Sequence, residues 1–366
     1  MTTSIAPDAP ARKVIVGVDT HKHVHVAVAI DTWGARLEDR SFTADSGGYQ
    51  DLVGWAEGLG RIEAFGIEGT GSYGAGLTSV VRRRGHRVVE VNRGDRRTRR
   101  ANGKSDTVDA EAAARSVLNG QSTAVPKSAD GHSEMIRQVK IARDTAVKAK
   151  TSAIITLKQI VVNAPAELRE ELEPLGDKAL MARCAGFRRT KQVDSTTASA
   201  KHTLRAIARR WLALRDEIAE HDQLLDELTT AAAPTLREGF GIGPDTAAEM
   251  LIIFGDNPDR IRSEAAFAKL CGACPIPASS GMSTGRHRLY RGGHRQANAA
   301  LYRSVIVRMR FHEPTMTYVA RRTAEGMPKR EIIRCLKRFL AREIYASVLV
   351  DHRARTAPAA PPDTNP

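Results

Sequence analysis

The stretch Lys13-Val-Ile-Val-Gly-Val-Asp-Thr-His-Lys-His-Val-His-Val-Ala-Val-Ala-Ile30 decides how the first third of the chain folds. Val14, Val16 and Val18 alternate in its first half, and Val24, Val26, Val28 and Ile30 alternate in its second. A period of two is the mark of a strand, and β-branched side chains suit a pleated surface. We read two strands joined by a tight turn near His21–Lys22, with Asp19 at the end of the first. Working outward, a third strand fits Arg36–Thr43, a helix Gly48–Leu59, a strand Ala64–Ile67, a helix Tyr73–Arg84 and a strand Arg87–Val91. A further helix starts near Ser105 and runs to about Leu118.

Three strands followed by alternating helix, strand, helix, strand and helix is the order of the ribonuclease H-like α/β fold, so residues 13–125 read as one α/β domain. From about His132 the texture changes. His132–Val162 is periodic and free of Gly and Pro. Thr196–Ala233 carries Leu204, Ile207, Trp211, Leu214, Ile218, Leu225 and Leu228 at spacings of three, four or seven. These predict two long helices packed as a hairpin or coiled coil over 130–235, a spacer with a role in oligomer contact. Next come a helix, a Gly241-Ile-Gly243 turn and a helix from Pro244. That pattern resembles helix-hairpin-helix elements, which hold DNA backbone through glycine amides. Helices at Ser263–Leu270, Gln296–Phe311, Pro314–Glu325 and Lys329–Leu349 complete an all-α region, 236–350. The Pro- and Ala-rich tail, 351–366, is expected to be disordered.

The chain has 366 residues, and its 56 Lys and Arg against 42 Asp and Glu give a formal charge of +14. That excess calls for a polyanionic partner. Membrane is disfavoured, because no apolar run approaches the roughly 20 residues of a spanning helix. Met1–Arg12 has no apolar signal core, so the expected location is cytoplasmic. Four cysteines do not make a disulfide framework, and Cys271/Cys274 lack the second pair or flanking His of a zinc site. Positive charge is dense in two places. One follows Arg82 and includes Arg96, Arg97, Arg99, Arg100 and Lys104. The other spans Arg286–Arg310 and includes Arg286, Arg288, Arg291, Arg295 and Arg303. Arginine favours bidentate phosphate contact, whereas aromatics at 5% offer few base-stacking platforms.

Four carboxylates stand where this fold brings chain ends together. Asp19 ends the first strand, Glu68 closes the strand Ala64–Ile67, and Asp106 and Asp109 lie one turn apart on one helix face. Gathered, they would repel one another unless a cation sat among them, and magnesium, which prefers oxygen ligands, fits. Two such ions could activate an attacking oxygen and stabilise a leaving one at a phosphodiester. Singly, each acid has a plainer reading: Asp106 or Ser105 as a helix cap, Asp19 as a turn residue. Glu111 is near enough to replace one member. The glycines of Gly69-Thr-Gly-Ser-Tyr-Gly74 would also suit a phosphate loop, but no GxxxxGK[ST] is present.

These residues resemble a known family. Gly17-Val-Asp-Thr-His-Lys22, Gly66-Ile-Glu-Gly-Thr-Gly-Ser-Tyr73 and Lys104-Ser-Asp-Thr-Val-Asp-Ala110 are similar to the Asp–Glu–Asp–Asp signature of a bacterial insertion-sequence transposase family. Its members pair a RuvC-like N-terminal domain with a C-terminal transposase domain. The C-terminal pattern is matched by Phe240-Gly-Ile-Gly-Pro244, Ala265-Ala-Phe-Ala-Lys-Leu-Cys-Gly272, Pro275-Ile-Pro-Ala-Ser-Ser-Gly281 and Tyr290-Arg-Gly-Gly-His-Arg295. The resemblance runs from about Val14 to about Leu349. It implies a DNA recombinase in which a serine, here Ser280 with Ser279 its neighbour, forms a covalent phosphoserine link to DNA, assisted by the Mg2+-binding acids. It also implies donor and target double-stranded DNA, a structured non-coding guide RNA, and dimers that pair into tetramers. The chain departs from the family at Arg291-Gly-Gly-His294, where members commonly carry Asn in a Lys-Gly-Asn segment; this bears on the role of His294.

A serine hydroxyl needs a base or metal to activate it, and a covalent phosphoester conserves bond energy for resealing. Pro-Ala-Ser-Ser-Gly is also ordinary turn chemistry. Two rival readings stand beside the recombinase: a metal-dependent junction-resolving nuclease that does not use Ser280, and a non-catalytic nucleic-acid-binding relic of a mobile element.

Overall fold

A computed structural model describes residues 12–92, 105–189, 192–278, 287–290 and 292–357. The chain divides into two units, Met1–Ala129 and Asp130–Pro366.

The first unit is built on a five-stranded mixed sheet of β1 (Lys13–Thr20), β2 (Val24–Asp31), β3 (Arg36–Thr43), β4 (Arg61–Glu68) and β5 (Val88–Val91), in the order β3-β2-β1-β4-β5. β1 pairs antiparallel with β2 and parallel with β4, so it is buried on both faces. This explains its near-continuous apolar run. β3 is one edge, and its Arg36, Glu38, Asp39 and Arg40 are the charges that keep an edge strand from pairing further. Helices α1 (Ser46–Leu59) and α2 (Ala75–Arg83) cover one face. There Leu52, Val53, Leu77 and Val81 pack on Val14, Val16, Val18, Phe65 and Ile67. Helix α3 (Asp106–Leu118) covers the other, with Ala110 and Ala114 against Ile15, Val28 and Ile30.

Small residues let α3 sit close. A Cβ on Gly17 would stand 1.9 Å from the Ala110 carbonyl oxygen and 2.4 Å from the Ala114 nitrogen, and one on Gly66 would stand 2.7 Å from Val117 Cγ2. Only glycine at these two positions lets the helix backbone rest on the strands.

Among its described residues the second unit is helical apart from one small antiparallel strand pair. α4 (His132–Val162) and α7 (Thr196–Ala232) lie antiparallel: Arg143 pairs with Asp222, Lys150 stacks on Trp211, and Leu157 packs with Leu204. Between them run α5 (Ala166–Leu172) and α6 (Asp177–Ala185), which the sequence reading left unassigned. They are too short for periodicity to declare itself, and their Leu168, Leu172, Leu180 and Met181 find a core only against α4 and α7. Then follow α8 (Pro234–Glu238), α9 (Pro244–Phe254), a 3-10 turn at Pro258–Arg260, α10 (Glu264–Leu270), α11 (Arg295–Phe311), α12 (Glu313–Ala324) and α13 (Lys329–Thr356). Strands β6 (Pro275–Pro277) and β7 (His287–Leu289) form an antiparallel pair that the sequence reading missed. Two prolines in three residues read as turn, and here they edge a two-stranded ribbon.

The disordered tail predicted from 351 is corrected by α13, which continues to Thr356. Asp351 is buried and accepts from the backbone nitrogens of Thr235 (3.0 Å) and Leu236 (3.1 Å), capping α8. Asp256 serves α4 likewise, accepting from Ser133 N (2.7 Å) and Gly131 N (3.1 Å). Both caps come from far along the chain, so local sequence does not show them.

Candidate functional site

Strand register and a side-chain bond place the acids. Ile15, Gly17 and Asp19 face α3, opposite to Val14, Val16 and Val18. On β4, Gly66 faces α3, so alternation turns Glu68 the same way, and Val18 is level with Ile67. Thr20 Oγ1 donates to the Glu68 carbonyl at 2.9 Å, tying the two strand ends together. Beyond Glu68 the chain turns at Gly69, whose φ of +61° lies in the left-handed region, and the Gly69 carbonyl accepts from the nitrogens of Ser72 and Gly74. The glycine-rich stretch is thus a compact turn leading into α2.

Because α3 sits on Gly17 and Gly66, its first turn is brought to the C-terminal end of β1. There Asp19, His21 and Asp106 each offer a ligand atom, all within 4.8 Å of one another. His21 Nε2 is 3.2 Å from Asp19 Oδ2 and 3.5 Å from Asp106 Oδ1. Asp19 and Glu68 are buried, while Asp106 is exposed. Burial raises the pKa of Asp19 above the ordinary aspartate range. His21 opposes that shift, and the charges of Asp109 and Asp106 add to it. Asp109 therefore lies within electrostatic reach of Asp19. A buried carboxylate facing two others is a donor set whose repulsion a divalent cation relieves, so the residues present fit one.

Of the predicted acids, the structure gathers Asp19 and Asp106 within one ion's reach, sets Asp109 near them, and puts Glu68 on the same face at the adjacent strand end. Glu111 is engaged elsewhere, with Arg115 at 2.7 Å and Arg36 at 3.7 Å. His21 was missed. The alternation of the strands marks only a turn at this position, and the signal in the sequence is an imidazole two residues beyond a strand-end Asp. Ser105 holds the N-cap position of α3, and its hydroxyl pairs with that of Thr107 at 2.8 Å.

Ser279, Ser280, Arg286 and Arg291 lie outside the described residues, as do Arg96, Arg97, Arg99, Arg100 and Lys104. Arg288 and Arg295 are exposed in the second unit. Two other arginines of the basic stretch are structural: Arg303 pairs with Asp245 at 2.8 Å, and buried Arg308 is bidentate to Glu343 and donates to the Phe240 carbonyl. His294 caps α11, its Nδ1 accepting from Ala297 N at 3.4 Å. Burial pushes the Cys271 thiol up to about 12, and neither Cys271 nor Cys274 belongs to a metal-ligand cluster among the described residues. No described helix is long and apolar enough to cross a membrane.

Comparison with known proteins gives two matches to family models. Residues 16–164 match the model for the Asp-Glu-Asp-Asp transposases of IS110, described as "Transposase", and residues 233–320 match "Transposase IS116/IS110/IS902 family". An "Insertion element IS110 uncharacterized 43.6 kDa protein" from Streptomyces coelicolor is 33% identical over 94 residues, covering 26% of this chain and 23% of that relative. The chain thus matches about a quarter of that relative's length. The first model points to a divalent metal, and the Asp19–His21–Asp106 cluster is a place that could hold one.

Proposed function

This chain belongs to the IS110 family of insertion-sequence transposases, and on that premise we propose that it cuts and rejoins double-stranded DNA through Ser280, assisted by the acids at the end of β1. The observation that carries this reading is the convergence of Asp19, His21 and Asp106 within 4.8 Å, from segments more than eighty residues apart.

In this reading the first unit is a ribonuclease H-like, RuvC-like domain, and Asp19, Glu68, Asp106 and Asp109 hold Mg2+. The ion supplies charge neutralisation at a phosphodiester and lowers the cost of deprotonating a hydroxyl. Carboxylate oxygens suit it, and the His21 imidazole fixes the orientation of Asp19 and Asp106. Ser280 Oγ attacks phosphorus. The Oγ–P bond forms as a sugar-oxygen–phosphorus bond breaks, the serine proton leaves to a base, and the departing sugar oxygen takes up a proton. The phosphoester retains the bond energy, so a new sugar hydroxyl reverses the step and reseals the strand without ATP. Arg286, Arg288, Arg291 and Arg295 bind phosphate oxygens. The segment from Pro234 to Phe254 acts as a helix-hairpin-helix-like backbone grip. A structured non-coding RNA selects donor and target, the α4–α7 hairpin carries dimer contacts, dimers pair into tetramers, and the protein works in the cytoplasm.

The test is adduct trapping. Protein, guide RNA and DNA incubated with Mg2+ give a covalent protein–DNA species, and Asp19→Asn abolishes it. Persistence of the adduct in Ser280→Ala combined with Ser279→Ala defeats the serine assignment. Strand cleavage with no adduct in the wild type favours the junction-resolving nuclease.

A further inference from the structure

Among its described residues the second unit has two buried lysines with opposite surroundings. Lys140, on α4, is 5% exposed and reaches Asp245 at 2.7 Å, Asp144 at 3.1 Å and Glu249 at 3.1 Å. Burial would lower its pKa, but those carboxylates more than offset the penalty and raise it. Lys337, on α13, is also 5% exposed, yet among the described residues it forms no ion pair. Its Nζ donates to Asn298 Oδ1 at 2.8 Å. The Asn298 amide is fixed in that sense because its Nδ2 donates to the Cys271 and Gly272 carbonyls, both at 2.9 Å. Burial, and then the neighbouring charge of Arg334, lower the Lys337 pKa. A cation kept out of water beside another cation is costly unless an anion from outside completes it.

The surroundings of Lys337 are shaped to receive one. It lines a cavity of about 1130 Å³ together with Arg288, Arg295, Asn298, Tyr302 and Arg334, and no Asp or Glu is among the described residues of the wall. Gly292 and Gly293 lead into α11 at the same wall, so the N-terminus of a 17-residue helix adds its positive end. The space exceeds what a lone phosphate needs. Ile276 and Arg288, both in the wall, sit on β6 and β7, the two strands between which the sequence carries Ser279 and Ser280.

We propose that this cavity seats a DNA phosphodiester, with Lys337 and Arg334 of α13 as its inner cations and Arg288 and Arg295 at its mouth. The proposal deepens the recombinase reading and rests on it for the choice of DNA. It assigns α13, whose basic residues the sequence reading left without a role, to nucleic-acid binding. Lys337 is a positioning residue that fixes a backbone phosphate and carries no base information.

The test uses the full chain and a labelled DNA duplex of arbitrary sequence, with affinity followed across salt concentration. Lys337→Gln and Arg334→Gln are each expected to weaken binding by the same factor on unrelated sequences and to reduce the salt slope by about one. Lys337→Arg should keep the slope. The unfolding midpoint of Lys337→Gln should hold or rise, because a buried unpaired charge is removed; Arg334→Gln, at a less buried position, reads the same slope independently. Wild-type affinity and slope in the folded variants overturn the proposal. So does a slope change seen with RNA of the same sequence but not with DNA. Binding is read without strand cleavage, so failure to trap a Ser280 adduct would sink the catalytic reading and leave this result standing.

Discussion

Asp19 in the first unit and Asp245 in the second are both drawn out of water, and burial alone would raise the pKa of each. Asp19 does end above the ordinary range. Asp245 ends below it, because a hydrogen bond from Lys140 and the charges of Lys140, Arg143 and Arg303 outweigh burial. The difference is one of company. Asp245 sits in a network closed within its own unit: Lys140, Arg143 and Arg303 converge on it, and Arg143 also reaches Asp222. Asp19 faces Asp106 across one imidazole and also feels the charge of Asp109. The same functional group is architectural where the fold supplies its countercharge and chemical where the fold supplies more of its own sign. Lys140 and Lys337 repeat the lesson for cations.

The sharpest way to break the comparison is to remove the countercharge. Lys140→Met should cost about 3–5 kcal/mol in urea unfolding, since three carboxylates lose a buried partner. A loss below about 1 kcal/mol would mean that the network is not structural. Next in size is Gly17→Ala. Its Cβ would meet the Ala110 carbonyl at 1.9 Å, so α3 must lift from the sheet. We expect a stability loss of about 1–3 kcal/mol together with loss of Mn2+ binding by calorimetry. Wild-type Mn2+ affinity in this variant would show that the seating of α3 does not set the site.

The smallest effects test the sign itself. Asp19→Asn should stabilise the chelated protein by about 1 kcal/mol or less, because it removes a charge facing like charges. Asp245→Asn should destabilise by about 1–3 kcal/mol at neutral pH, because Lys140 loses a charged acceptor. The depressed Asp245 contributes stability above its unfolded pKa and loses it as pH falls through the lower folded value. The Asp245→Asn deficit should therefore shrink as the solution is acidified below the ordinary aspartate value of 3.8. If both asparagine variants shift thermal unfolding in the same direction, the contrast between the two sites collapses.

Much of the first unit was legible because its elements are long and their periods clean. β1 to β3 and α3 fall within a residue or two of their predicted bounds. Asp19, Glu68 and the Asp106/Asp109 pair were legible as strand-end and helix-start acids. His21 was not, since a histidine in a turn carries no period. The hairpin β6–β7 and helices α5 and α6 were illegible for a related reason: three to nine residues give too few repeats, and their stability comes from tertiary contact.

The sequence by itself determined the alternation of β1, the helical spacing of α4 and α7, the order of the acidic motifs and the excess of positive charge, because each is a local pattern or a sum. Only the tertiary structure decided which charges are spent internally. That Arg303 and Arg308 are consumed by Asp245 and Glu343, that Lys337 has no carboxylate partner among the described residues, and that Asp351 caps a helix over a hundred residues earlier follow from proximity across the fold. Coulomb and hydrogen-bond energies depend on distance in space and on burial, and neither is a property of position in the chain.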